Sequence, residues 1–95
     1  MAAYLIAHSK VKNAERLAEY ASKAGPTIGA HGGQVVARGK VAEVLAGSHD
    51  GTIALIAKFP DAATAHAWYN SPEYQATIPV RTEALEPTFV VIEEA

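Results

Sequence analysis

The chain has no cysteine, which excludes a disulfide framework, a thiolate nucleophile and any cysteine-based metal site. It has no basic stripe either. Its eight Lys and Arg residues are scattered between Lys10 and Arg81, and the formal charge of −2 argues against a nucleic-acid-binding protein. The N-terminal MAAYLIAHSK turns polar too soon for the apolar core of a signal peptide or a membrane span. These absences predict a soluble, cytoplasmic protein. His8, His31, His49 and His66 form no H-x-x-x-H or H-E-x-x-H pattern, so neither a metal nor another cofactor is expected, and no histidine is marked as a haem ligand. No serine sits in a G-x-S-x-G elbow, which leaves acyl transfer without support. Gly29 to Gly33 superficially suggests a phosphate cradle, but it precedes a strand and no G-K-[ST] follows.

What is present is ordinary globular composition, 49% hydrophobic and 19% charged over 95 residues, enough for one small domain spanning 1–95. Ala2 to His8 reads as a first strand. Asn13 is placed to cap a helix from Ala14 to about Ala24, with Ala14, Leu17, Ala18 and Ala21 as its apolar stripe and Tyr20 beside it. Gly25-Pro26 is expected to break or kink that helix. His31-Gly32-Gly33 then introduces a strand QVVARG, with Gln34, Val36 and Arg38 on one face, Val35 and Ala37 on the other, and a bulge or bend at Gly39. Lys40 to Leu45 resumes extended character and Gly47 to Gly51 forms a turn in which His49 is solvated. Thr52 to Phe59 is the clearest strand.

The stretch from Phe59 to Tyr74 organises the rest. Asp61 is an N-cap, small alanines let the following helix lie close to a sheet, and Trp68 and Tyr69 end it. Ser71 and Pro72 start another helix, as N-cap and first position. Ala76 to Leu85 is helical in part, with Pro79 interrupting or restarting it, and TFVVIEE is the last strand. The order β-α-β, β-α-β is that of an α+β, ferredoxin-like fold with an antiparallel four-stranded sheet and both helices on one face. Thr52–Phe59 and Phe89–Ile92 are apolar on both faces, so the open face is expected to pack on a second copy as a homodimer.

The combination HGGQVVARG at 31–39, the F-P pair at 59–60, AWYNSPEYQ at 67–75 and Arg81 resembles the domain-of-unknown-function 1330 family, part of the dimeric α/β-barrel superfamily. The likeness runs nearly the whole chain. It implies a dimer whose two sheets enclose a barrel-like interior, with a cleft between helices and sheet in each subunit. It implies no reaction, because the superfamily ranges from cofactor-free monooxygenases, cyclases and isomerases to barrels without known activity.

Each candidate residue has two roles open to it. His31, before the double glycine, is either a loop residue fixing the turn or an acid–base group at the cleft mouth. Arg38 either meets Glu73 or another carboxylate, or faces the cleft for an anionic ligand. Arg81, two helical turns after Tyr74, either binds a carboxylate or pairs with Glu73 or Glu83. Trp68, Tyr69 and Tyr74 close a core or wall a site for a flat ring. Three functions follow: a homodimer binding a small, partly apolar or anionic molecule through Arg38, Trp68, Tyr69, Tyr74 and Arg81; a cofactor-independent isomerase, cyclase or monooxygenase with His31 as base; or a structural or regulatory dimer whose cleft is filled by Trp68 and Tyr74.

Overall fold

The computed structural model describes residues 1–95. Its order is β1 (Ala3–Val11), α1 (Ala14–Ala30), β2 (Gln34–Lys40), β3 (Ile53–Phe59), α2 (Ala62–Tyr69), α3 (Pro72–Gln75), α4 (Ile78–Ala84) and β4 (Leu85–Glu93). The strands form one antiparallel sheet in the order β2-β3-β1-β4, the ferredoxin-like arrangement.

Burial along β1 alternates residue by residue, as a sheet covered on one side requires. Leu5 and Ala7 of β1 and Ala57 and Phe59 of β3 share the covered side. There they meet Ala24 and Ile28 of α1, Ala65 and Trp68 of α2, and Tyr74 of α3. Burying an aromatic such as Phe59, Trp68 or Tyr74 removes about 150–250 Å² from water, which at about 25 cal/mol per Å² is an upper-bound gain of roughly 4–6 kcal/mol each.

Three local features differ from the sequence expectation. First, α1 does not stop at Gly25-Pro26 but continues to Ala30. Gly25 has no Cβ to clash with the proline ring, and both residues face solvent, so the lost helical bond is exposed to water. The inward face is therefore the half-buried Leu17 and Tyr20 with the buried Ala24, Thr27 and Ile28, while Ala14, Ala18 and Ala21 are exposed. Second, the bulge in β2 falls between Val35 and Ala37, not at Gly39. The extra residue puts Arg38 on the helix side with Val35, opposite Leu55 and Ala57 respectively, rather than with Gln34. Third, residues 41–45 form no strand. β3 begins at Ile53, whose partner is Lys40, so the chain beyond Lys40 has no strand residue opposite it. Val41 N–H donates to Thr52 O at 3.0 Å and closes the loop. His49 is exposed, as expected, and its ring also has partners within the fold. Its Nε2 lies 2.7 Å from His8 Nδ1, and its Nδ1 lies 3.1 Å from Gly51 O.

Other punctuation behaves as its chemistry dictates. Asn13, Asp61 and Ser71 each accept a bond from a first-turn N–H of α1, α2 and α3. Pro79 sits in the first turn of α4, where it restarts the helix. The adjacent glycines have different reasons. Gly32 takes φ +81° as α1 ends, and Gly33 lies so near Phe59 that a Cβ would stand 2.6 Å from its Cε1.

The uncovered side of the sheet carries Tyr4, Ile6 and His8 of β1, Ile56 of β3, and Thr88, Val90 and Ile92 of β4. Val90 and Ile92 are 47% and 52% exposed, and no element of the chain lies over them. No helix is long and apolar enough to cross a membrane.

Candidate functional site

Two clefts open on the helix side, one on each flank of Trp68. The first, about 410 Å³, lies between α1 and the sheet and is mostly apolar, walled by Leu17, Tyr20, Ala21 and Leu55. Arg38 and Lys40 of β2 are its cationic side. The bulge turns Arg38 inward, and neither cation has a carboxylate within 4.0 Å. Arg38 therefore does not pair with Glu73, the structural alternative raised by the sequence. The second cleft, about 630 Å³, lies between α2 and β4 and is lined by Tyr69, Arg81, Phe89 and Val91 among others. Leu5, Trp68 and Phe89 belong to both.

Trp68 is 2% exposed and Tyr74 is fully buried, so both are core residues. They leave the clefts open. Trp68 Nε1–H donates to Thr27 Oγ1 at 2.9 Å, and Thr27 Oγ–H donates to Ala24 O at 2.6 Å. The indole plane is thereby fixed between the two cavities. Behind it runs a polar chain. The hydroxyls of Tyr20 and Tyr74 are 2.7 Å apart, and Arg81 Nη1 donates to the Tyr74 and Tyr69 hydroxyls, each at 3.0 Å. Burial, reinforced by the neighbouring Tyr74, pushes the Tyr20 phenol well above its ordinary range, so it stays a neutral hydroxyl. Burial works against the charge on Arg81, but the two phenolic acceptors outweigh it and the guanidinium stays protonated. Arg81 pairs with neither Glu73 nor Glu83; Glu83 lies 3.4 Å from Arg16, and Glu73 lies 3.6 Å from His31.

Of the residues singled out in the sequence, Tyr69, Tyr74 and Arg81 come together as one bonded cluster. Arg38 lines the first cleft and Trp68 separates the two. His31 stands apart. It caps α1 through its backbone N–H, its ring faces Glu73, and it lines neither cleft. Tyr20 and Thr27 are missed by the sequence reading, because its stripe of Ala14, Leu17, Ala18 and Ala21 leaves Tyr20 to one side and Gly25-Pro26 is expected to break or kink the helix before Thr27. Carried through the proline, the helical spacing puts both on the stripe of Ala24 and Ile28.

An antiparallel ferredoxin-like sheet with its helices on one face, two clefts beneath them and an uncovered apolar face defines a small α+β domain of the ferredoxin-like class. The family described as a domain of unknown function (DUF1330) matches residues 2–95, and the chain belongs to it. No curated protein matches the chain. Among solved structures, the RPA0582 protein of unknown function from Rhodopseudomonas palustris superposes with a TM-score of 0.82 at 20% identity, covering 99% of this chain and 82% of that one. A dimeric ferredoxin-like protein of unknown function from Jannaschia sp. CCS1 gives 0.76 at 12% identity, over 99% and 100% of the two chains. SnoaB, a cofactor-independent oxygenase from Streptomyces nogalater, gives 0.73 at 10% identity, over 99% and 93%. At these identities the likeness establishes the fold alone.

Proposed function

We propose that the chain is a homodimeric binding protein for a small, largely apolar, anionic molecule held between α1 and the sheet. One observation carries this reading. The core aromatics Trp68 and Tyr74 are fully packed, yet an apolar cleft of about 410 Å³ stays open beside Trp68, with Arg38 and Lys40 unpaired on one side of it. A cleft of this size and lining suits a compact hydrophobic body with a charged head. The homodimer is supported by the exposed apolar sheet face, which a second copy of the same face covers best, and by a structural neighbour described as dimeric.

The test is thermal shift against a panel of aliphatic and aromatic acids. A ligand specific to the folded state raises the melting temperature by mass action. Ala21 is exposed on α1 and lines this cleft, so Ala21→Trp should fill the space without cutting the core and abolish the shift. If no acid stabilises the protein, the reading of a purely structural or regulatory dimer prevails.

A second reading, a cofactor-independent isomerase, cyclase or monooxygenase, draws support from Tyr20. Tyr20 lines the cleft, and its neutral hydroxyl is bonded to that of Tyr74, which the Arg81 cation contacts in turn, an arrangement suited to stabilising charge on a substrate oxygen that reaches it. His31, the base first considered from the sequence, has no such position. Loss of turnover in Tyr20→Phe with ligand binding retained would favour this reading.

A further inference from the structure

The second cleft contains a cation whose bonding is incomplete. Arg81 uses Nη1 for both tyrosine hydroxyls, whereas Nε and Nη2 donate to no atom of the chain. No carboxylate lies within 4.0 Å of the guanidinium. No buried side-chain nitrogen or oxygen lacks a partner, so these two nitrogens are open to solvent. The guanidinium is held against three rings, with its carbon 5.7 Å from the centroid of Tyr69, 5.9 Å from Tyr74 and 5.5 Å from Phe89. One edge of a planar fork is thus clamped while the other is free, and Arg81 lines a cavity of about 630 Å³ whose walls combine Trp68, Phe89 and Val91 with the polar His66 and Glu93.

We propose that the free Nε–Nη2 edge of Arg81 is a carboxylate-binding site, and that the cleft between α2 and β4 takes a small monocarboxylic acid with an aryl or branched alkyl body. The fork matches the two oxygens of a carboxylate in a bidentate pair, and its orientation is set before the ligand arrives. The body of the acid lies against Trp68, Phe89 and Val91. Glu93 lines the same cleft and disfavours a second negative charge, which selects monoanions. This site is separate from the α1 cleft, with Trp68 as the wall between them, and it does not depend on that cleft being occupied.

Isothermal titration calorimetry reads binding in either cleft, in the parent chain and equally in variants that carry an added tryptophan. The experiment titrates the full chain with phenylacetate and with phenylacetamide, a neutral analogue of nearly the same shape. The expected result is saturable binding of the acid and at least about ten-fold weaker binding of the amide, the scale set by a charge-assisted bond. Arg81→Met, folded by circular dichroism, should lose that preference. Val91 is on the exposed part of β4, so Val91→Trp blocks the second cleft without touching the Arg81 bonds, and should abolish binding even if Arg81→Met does not fold. Ala21→Trp should leave binding intact. Equal binding of acid and amide, no saturable change with phenylacetate, or a preference retained in Arg81→Met or Val91→Trp overturns the proposal. Binding lost in Ala21→Trp but kept in Val91→Trp would move the acid to the α1 cleft, overturning the Arg81 site while leaving the proposed function standing.

Discussion

Thr27→Val changes one atom group at the centre of the structure, where α1 meets Trp68. Valine has nearly the shape of threonine and is equally branched, so packing and helix propensity change little. What disappears is the acceptor of the Trp68 indole N–H, a 2.9 Å bond between two buried side chains. Ala24 O also loses the Thr27 hydroxyl at 2.6 Å but sits in the interior of α1, where the helix supplies its ordinary partner. The cost is then mostly that of one orphaned buried donor, about 1–3 kcal/mol. For a chain of this length each kcal/mol lowers the melting temperature by roughly 4–8 °C. Urea unfolding followed by Trp68 fluorescence, at one protein concentration, measures it. Trp68→Phe provides the second half of a double-mutant cycle, read by circular dichroism, because it removes the donor itself. The substitution Thr27→Val should cost markedly less in the Trp68→Phe background. A loss below about 0.5 kcal/mol in the parent protein, or an undiminished loss in that background, refutes the assignment of this bond as the element that fixes the indole.

Gly33→Ala should destabilise by about 1–3 kcal/mol through overpacking, because its Cβ would stand 2.6 Å from Phe59 Cε1 and 2.8 Å from Ile28 Cγ2. Gly39→Ala, whose Cβ meets nothing within 4 Å, is the near-neutral control in the same melting experiment. Tyr20 has a folded-state pKa raised by burial, so its contribution is present below the ordinary tyrosine value of about 10 and is lost as pH rises past it. Denaturant midpoints should therefore fall from about pH 9 to about pH 11, and Tyr20→Phe should flatten that fall; an equal slope in the variant would show that the hydroxyl is not responsible. Val90 lies opposite Ile6 on the uncovered sheet face, and Val90→Lys should convert a dimer to a folded monomer in sedimentation equilibrium. A wild-type monomer, or a variant that dimerises unchanged, removes the open face as the interface.

The order of strands and helices was legible in the residues because each signal is local. Asn13, Asp61 and Ser71 cap helices through bonds reaching three residues along the chain, and Pro72 and Pro79 start helical turns for reasons internal to those turns. The first strand is likewise legible as a short run of β-forming residues, and the double-sided apolarity of β3 and β4 from the residues that a period of two assigns to each face. Gly25-Pro26 misled for the same reason. Its local cost is real, but packing of Thr27 and Ile28 into the core outweighs it, and that gain depends on Phe59 and Trp68, more than thirty residues away.

The grouping of Tyr69, Tyr74 and Arg81 was foreseeable from their closeness in sequence, whereas the fourth member, Tyr20, is fifty-four residues from Tyr74 and is brought to it only by α1 packing on the sheet. A side chain's face on β2 was equally beyond reach, since the bulge at Val36 depends on how that strand registers with β3. By itself, then, the sequence determined the elements, their caps and the ferredoxin-like order. Only the tertiary structure decided which cations stay unpaired, that Trp68 divides two open clefts, and that His31 faces Glu73 instead of either one. Those outcomes depend on distances between residues far apart in the chain, which no local pattern encodes.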